Sequence, residues 1–327
     1  MNYFLHTHNT FPKIKIHTHI TENTPYISKS FVHYLKINND HKHLDFFYKN
    51  IYLYEYLKYC IPNNKIKHMM PCVFFELIEI LSIFNIITGI TDEYINCLHI
   101  DNKYSQYSFQ MCYNIISNIM NINKKISHQT VFDIDENFNT SKKSQFIFID
   151  CSYIDSETYS FNYTFKIILS LLYIFRFQSK NGYFIMKINC ILHKPIIDVI
   201  FILCYLYNRV TINKPFISDP ISNSRYIICE NLIKGDECHV LYDNMVNNIH
   251  NIKNCLNLKT ILFGQSIPIN IINKIDESNV VIGQQKLEVI DQIDHNMHKI
   301  KEDKYNIFKK TNITRAQQWL KKYKLLI

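Results

Sequence analysis

Glycine is nearly missing from this chain: five occur in 327 residues, at Gly89, Gly182, Gly235, Gly264 and Gly283. Backbone that must come close to a cofactor needs a residue without a Cβ, and none of the five stands where such a loop would place it. The ten cysteines contain no CxxC pair, so no zinc-binding spacing is present and no metal is expected. The opening MNYFLHTHNTFPKIKI has no apolar core segment of the kind a secretory leader carries; reduced, buried thiols in a cytoplasmic protein are the expectation. Long apolar runs are lacking too. Ile167–Phe175 and Ile196–Tyr207 fall short of the roughly 18–20 residues that cross a bilayer, and Lys166, Arg176, Asp198 and Arg209 bound or interrupt them. Both read as helices packed on a sheet, with no membrane partner. There are no internal repeats.

What the chain does have is apolar and aromatic bulk, 47% and 14% of residues, enough for a large core in one elaborated domain or two. Asparagine, isoleucine, lysine and tyrosine are heavily used, a mark of AT-biased coding. The net charge is +8 with pI near 8.8. That balance suits a nucleic acid or acidic protein partner, and equally a lysine-rich codon bias without any ligand. Histidines gather early, at His6, His8, His17, His19, His33, His41 and His43. Two HTH triplets put imidazoles at strand spacing; packing or solvated histidines are the expectation, a metal site the alternative.

Periodicity divides the chain into an N-terminal extension (1–70), an α/β core (71–235) and a C-terminal helical segment (236–327). In the extension, Lys13–Ile20 is β-like and Asp45–Tyr59 helical. VFFELIEILSIFNII predicts an amphipathic helix over Cys72–Ile87, with Gly89 just past its end as a C-cap. Tyr94–Ile100 reads as a strand, Phe109–Met120 as a helix and Thr130–Asp135 as a strand. QFIFID at 145–150 is an apolar run ending in an acid, as a buried parallel strand does at its carboxyl edge. Next come a helix over Tyr163–Phe177, a turn at Asn181-Gly182, and a strand over Tyr183–Ile188. A helix opened by Pro195 then runs to Tyr207. Strands Arg209–Asn213 and Tyr226–Cys229, joined by a proline-containing loop, complete the ending of a doubly wound sheet, with an antiparallel pair at one edge. Helical spacing returns over Ile269–Ile275, Gln284–Ile300 and the basic Thr314–Lys324, where Thr314 is the candidate N-cap.

GYFIMK at 182–187, the apolar helix after it, VTINKP at 210–215 and SNSRYIIC at 222–229 resemble the closing motifs of FtsJ-like RNA 2′-O-ribose methyltransferases, in the flavour of large cytoplasmic DNA viruses. Gln284, Gln285 and the ending WLKKY add to the resemblance, which covers roughly residues 70–327. It implies a Rossmann-like methyltransferase fold: a mostly parallel sheet with an antiparallel edge strand and helices on both faces. It also implies S-adenosylmethionine as cofactor if the chain is active, and a Lys-Asp-Lys-Glu tetrad around the ribose hydroxyl, in which a lysine takes the proton and carboxylates orient it. By this resemblance Asp150 is the aspartate and Lys187 the second lysine. Glu76 stands in place of the first lysine and Ser224 in place of the closing glutamate. The family's Pro-Gly-Gly-Phe cofactor loop is reduced to Phe109, with Asp101, Tyr104 and Tyr107 where backbone would meet the cofactor. Asp133 holds the place of an adenosine-contacting acid, or ends a solvated loop. Lys214 is a candidate RNA phosphate contact or a surface lysine beside a turn. Lys321 and Lys322 belong to a basic tail that binds RNA or is simply solvated. Trp319, the single tryptophan, is expected to anchor the last helix.

The leading expectation is a catalytically degenerate domain with no cofactor, acting as a non-catalytic subunit in viral-type mRNA cap formation or methylation. Its partner would be a catalytic capping or cap methyltransferase subunit, with capped RNA close by, in a host cytoplasm or a virion. The ending KKYKLLI and the layout are loosely similar to the small subunit of poxvirus capping enzymes. One alternative is an active cap 2′-O-methyltransferase with Lys187 as base and Asp150 as its orienter. Another is an RNA-binding module without an enzyme partner. In the leading reading Asp150 and Lys187 persist as a buried pair left by an ancestral site.

Overall fold

The computed structural model describes residues 1–18, 25–29, 52–60, 71–100, 113–114, 117, 124–131, 142–152, 161–189, 191–253, 258–297 and 302–325. Its strands are β1 (Asn2–Leu5), β2 (His17–Thr18), β3 (Tyr94–Ile100), β4 (Lys125–Val131), β5 (Ser144–Asp150), β6 (Gln178–Ile188), β7 (Tyr207–Asn213), β8 (Arg225–Leu232) and β9 (Leu258–Thr260). Its helices are α1 (Leu53–Cys60), α2 (Cys72–Ile83), α3 (Ile86–Gly89), α4 (Phe161–Phe177), α5 (Lys194–Leu206), α6 (Cys238–Lys253), α7 (Ile269–Met297) and α8 (Glu302–Lys322).

Among the described residues, seven strands form one sheet in the order β1-β7-β8-β6-β5-β3-β4, and β2 pairs with β9 in a second, small sheet. β4, β3, β5 and β6 run parallel; β3, β5 and the second half of β6 are the nearly continuous apolar runs expected of strands covered on both faces, whereas β4 (KISHQTV) alternates. β8 is antiparallel to both β6 and β7. The fold is therefore the expected Rossmann-like α/β sheet with its antiparallel pair. β1 then adds antiparallel to β7 as the outermost strand, and the Met1 amine donates to the Lys214 carbonyl (3.0 Å).

Alternation along the strands feeds two cores. Leu98, Ile100, Ile147, Ile149, Phe184 and Met186 face the layer of α4, α5 and α6. Ile95, Cys97, Phe146, Phe148, Ile185 and Ile228 face α2 and the end of α8. A pair of histidines interrupts the apolar pattern on β3 and β4. His99 on β3 is fully buried, and its Nε2 lies 3.2 Å from Nδ1 of His128 on β4. Burial lowers the pKa of both rings, that of His128 to about 4, so both are neutral at neutral pH.

Several boundaries differ from the sequence expectation. The helix predicted over 72–87 breaks at Asn85, whose φ of 50° is left-handed, and Gly89 ends the short helix α3. β4 starts earlier than the predicted Thr130, because register with β3 pairs Lys125 with Tyr94. Asn181 (φ 59°) and Gly182 do not turn the chain but lie within β6, next to an irregularity in its pairing with β5. A Cβ on Gly182 would meet the Ser179 carbonyl oxygen at 2.8 Å and that of Gln145 at 2.9 Å, which explains a glycine here. The two predicted helices over 269–300 are one, α7. Thr314 lies inside α8, its hydroxyl donating to the Lys310 carbonyl (3.0 Å), so it is not an N-cap. The predicted helix over 109–120 falls mostly outside the described residues. Of the early histidines, His8 stacks on Phe201 and His17 on Phe263, so those two pack rather than converge.

Candidate functional site

Ligands of open α/β sheets sit beyond the carboxyl ends of the parallel strands. There Asp150 closes β5, and register sets it opposite Lys187 on β6. Across from them runs α2, which Pro71 precedes and whose apolar residues pack on the sheet. Two glutamates at i and i+3, Glu76 and Glu79, are buried on this apolar helix. Buried carboxylates persist only where charge and hydrogen bonds meet them.

Each glutamate has its own partners. Lys187 Nζ donates to Glu76 Oε2 at 2.7 Å, and the Tyr226 hydroxyl donates to the same oxygen at 2.5 Å. The Lys187 ammonium also lies 5.4 Å from the centre of the Tyr226 ring. Glu79 accepts from the Phe216 amide (2.8 Å), the Ile217 amide (3.4 Å) and Trp319 Nε1 (3.2 Å). Glu79 thus ties α8 and the 214–224 loop to α2, while Glu76 faces the strands. Trp319 is buried and meets Phe75 edge-on, anchoring α8 as its sequence suggests.

Asp150 Oδ1 accepts from the amide and hydroxyl of Ser152, at 2.7 and 2.6 Å. Its Oδ2 is buried with no hydrogen-bond partner among the described residues. Ser224 is not drawn into the cluster by its hydroxyl, which accepts from Ser222 Oγ at 2.9 Å. The carboxylate to which Lys187 donates therefore comes from α2 and not from the strand position where the tetrad has its glutamate.

Burial also shapes the neighbours. It pushes the Tyr226, Tyr52 and Cys72 hydroxyl and thiol groups well up, and the Tyr52 hydroxyl and Cys72 sulfur lie 2.9 Å apart, one turn of α2 before Glu76. Lys214 is not a surface lysine: it is 6% exposed and its Nζ donates to the Ser222 carbonyl, which removes it from any face that RNA phosphate would reach. Desolvation lowers its pKa to about 7, with Asp219 acting the other way. Arg225, beside Tyr226, is fully buried and donates to Asn279 Oδ1 at 2.6 Å. A cleft of about 280 Å³ opens nearby, lined among others by Tyr52, Phe216, Ser218, Gln292 and Arg315.

Lys321 and Lys322 are exposed at the end of α8, as are Lys309, Lys310 and Arg315 along it. Asp101, Tyr104, Phe109 and Asp133 lie outside the described residues. Tyr226 and Glu79 carry more of the site than the sequence suggested. The signal for Glu79 was a second acid three residues after Glu76 within a helix of otherwise apolar character.

No protein-family model and no curated protein matches the sequence. Among solved structures the chain is similar to an S-adenosylmethionine-dependent methyltransferase from Clostridium acetobutylicum ATCC 824, at 11% identity over 52% of this chain and 79% of that one, with a TM-score of 0.22. It is also similar to PKMT2 from Rickettsia typhi in complex with AdoHcy, at 12% identity over 62% of this chain and 42% of that one, with a TM-score of 0.20. Likeness at this level adds nothing to what the strand order itself shows.

Proposed function

We propose that this chain is a catalytically degenerate methyltransferase-type domain that works as a non-catalytic subunit in mRNA cap formation or cap methylation. One observation carries the reading: the Lys187 ammonium donates to Glu76 at 2.7 Å, and Tyr226 donates to the same carboxylate. A lysine acting as base needs a lone pair open to the substrate hydroxyl. Here its neighbour is a carboxylate at the place where the family has its first lysine, and the family's orienting glutamate position is a serine. The retained value of the domain is then its surface. Phe216, 64% exposed at the cleft, supplies an aromatic anchor of the kind that carries protein interfaces. The partner is a catalytic capping or cap methyltransferase subunit, and the exposed basic face of α8 lies toward capped RNA.

The test is a methyl-transfer assay with labelled S-adenosylmethionine and capped RNA. The isolated chain should transfer nothing, and adding it to the catalytic cap methyltransferase subunit of the same genome should raise that subunit's rate. Transfer by the isolated chain, or no effect on the subunit, contradicts the proposal.

A second reading rests on Asp150 Oδ2, a buried acceptor with no described partner beside Lys187. Buried acceptors without a partner are uncommon, and sites that bind a ligand are one place they occur. It favours a working 2′-O-methyltransferase that uses S-adenosylmethionine, with Asp150 orienting Lys187. In that case the isolated chain methylates capped RNA and Asp150→Asn stops it.

A further inference from the structure

The pair His99–His128 has a third companion. Cys97 lies two residues before His99, so both side chains leave β3 on the same face, and register sets Cys97 directly opposite His128 on β4. The Cys97 sulfur and one nitrogen of each imidazole all lie within 4.8 Å of one another. In a tetrahedral zinc site, bonds of about 2.0–2.3 Å put neighbouring donors roughly 3.3–3.7 Å apart. The 3.2 Å between His99 Nε2 and His128 Nδ1 is already close to that spacing. We propose that Cys97, His99 and His128 form a three-ligand site for a zinc-class divalent ion, with solvent completing the fourth position.

Packing alone gives a poor account of these residues. The face they share with Ile95 and Phe146 is the apolar one that packs on α2, where an aliphatic residue at 99 or 128 would bury equally well. His99 is fully buried and His128 half-buried, and placing an imidazole there costs solvation that an aliphatic side chain would not lose. The donor set is also chemically coherent: neutral imidazole and thiolate are the ligands zinc prefers, and binding would take the proton from the Cys97 thiol and release it to solvent. Access exists because His128, on the outermost parallel strand, is only half-buried.

A bound ion would also hold β4 in place. Its burial alternates between exposed and intermediate, and none of its residues is fully buried. It is attached by the ladder to β3 and by the packing of Ile126, Val131 and the His128 ring, which meets Tyr113. Three bonds to metal would clamp that edge strand to the sheet. The proposal does not depend on whether the domain methylates anything.

Cobalt reports such a site directly. Full-length reduced protein, stripped with a chelator and titrated with Co²⁺, should bind one equivalent with the ligand-field and thiolate charge-transfer absorption of a tetrahedral site, and Zn²⁺ should displace it. Cys97→Ala should remove the charge-transfer band, and His128→Gln should weaken binding by roughly tenfold or more. Circular dichroism establishes that each variant is folded. If either fails to fold, X-ray absorption of the zinc-loaded wild type decides, with one sulfur and two imidazole ligands expected. No stoichiometric binding by the folded wild type overturns the site. So do unchanged affinity and spectrum in folded His128→Gln, or a ligand set of different composition.

Discussion

Glu76 and Lys187 stabilise the fold only as a pair. Both are buried, and the Tyr226 hydroxyl adds to the solvation of the carboxylate they share. Removing one partner takes away the counter-charge that offsets the desolvation of the other. Glu76→Gln should therefore cost about 3–5 kcal/mol in urea unfolding, whereas Glu76→Leu with Lys187→Met should recover most of that loss. Tyr226→Phe removes one hydrogen bond to a charged group and should cost roughly 1.5–3 kcal/mol. A double variant no more stable than Glu76→Gln would mean that the pair is not an isolated unit. Lys214 gives a pH signature of the opposite kind. Its folded pKa is about 7, below the value of an exposed lysine. Below pH 7 the lysine is charged both folded and unfolded, and its burial penalty is fully present. Between pH 7 and about 10.4 the unfolded chain binds the extra proton, so this group makes stability rise with pH. Lys214→Met should stabilise the protein near pH 6 by a few kcal/mol, and the gain should shrink toward pH 9 in matched urea titrations. A gain that does not change with pH would contradict the assignment.

The elements were legible to the degree that periodicity alone decided them. β3, β5 and the core of β6 are short apolar runs, and their position and direction followed from pattern. α4 and α5 were equally plain. What pattern missed was set by partners distant in sequence. β4 has polar residues at every exposed position and gained its bounds from pairing with β3. The N-terminal residues Asn2–Leu5 carry no strand signal beyond alternation, yet close the sheet against β7. Asn181-Gly182 reads as a turn by composition, but neighbouring strands make it part of β6. That position yields a sharp expectation at this scale. Gly182→Ala forces a methyl against two backbone carbonyls that cannot swing away, and should destabilise by about 1–3 kcal/mol, read from the urea midpoint. A neutral result would mean that β6 relaxes locally at low cost.

At the scale of the whole molecule, the sheet places Asp150 and Lys187 side by side where such folds bind ligands, and α2 brings Glu76 to them. Sequence resemblance supplied those three positions. It could not show that Glu76 would bond to Lys187, because that contact joins residues 111 apart. Nor could it show Cys97, His99 and His128 together, since the strand pairing that joins them has no signature in residue spacing. Among the described residues no helix is long and apolar enough to cross a membrane, and the exposed positive charge of α8 lies on one element. The central claim of the proposed function is that Lys187 pairs with Glu76, the carboxylate to which Tyr226 also donates, instead of serving a methyl transfer. Isothermal titration of the full-length protein with S-adenosylmethionine and with its demethylated product tests it most directly. The account expects no saturable heat with either. Micromolar binding that Asp150→Ala abolishes in a folded protein would contradict it.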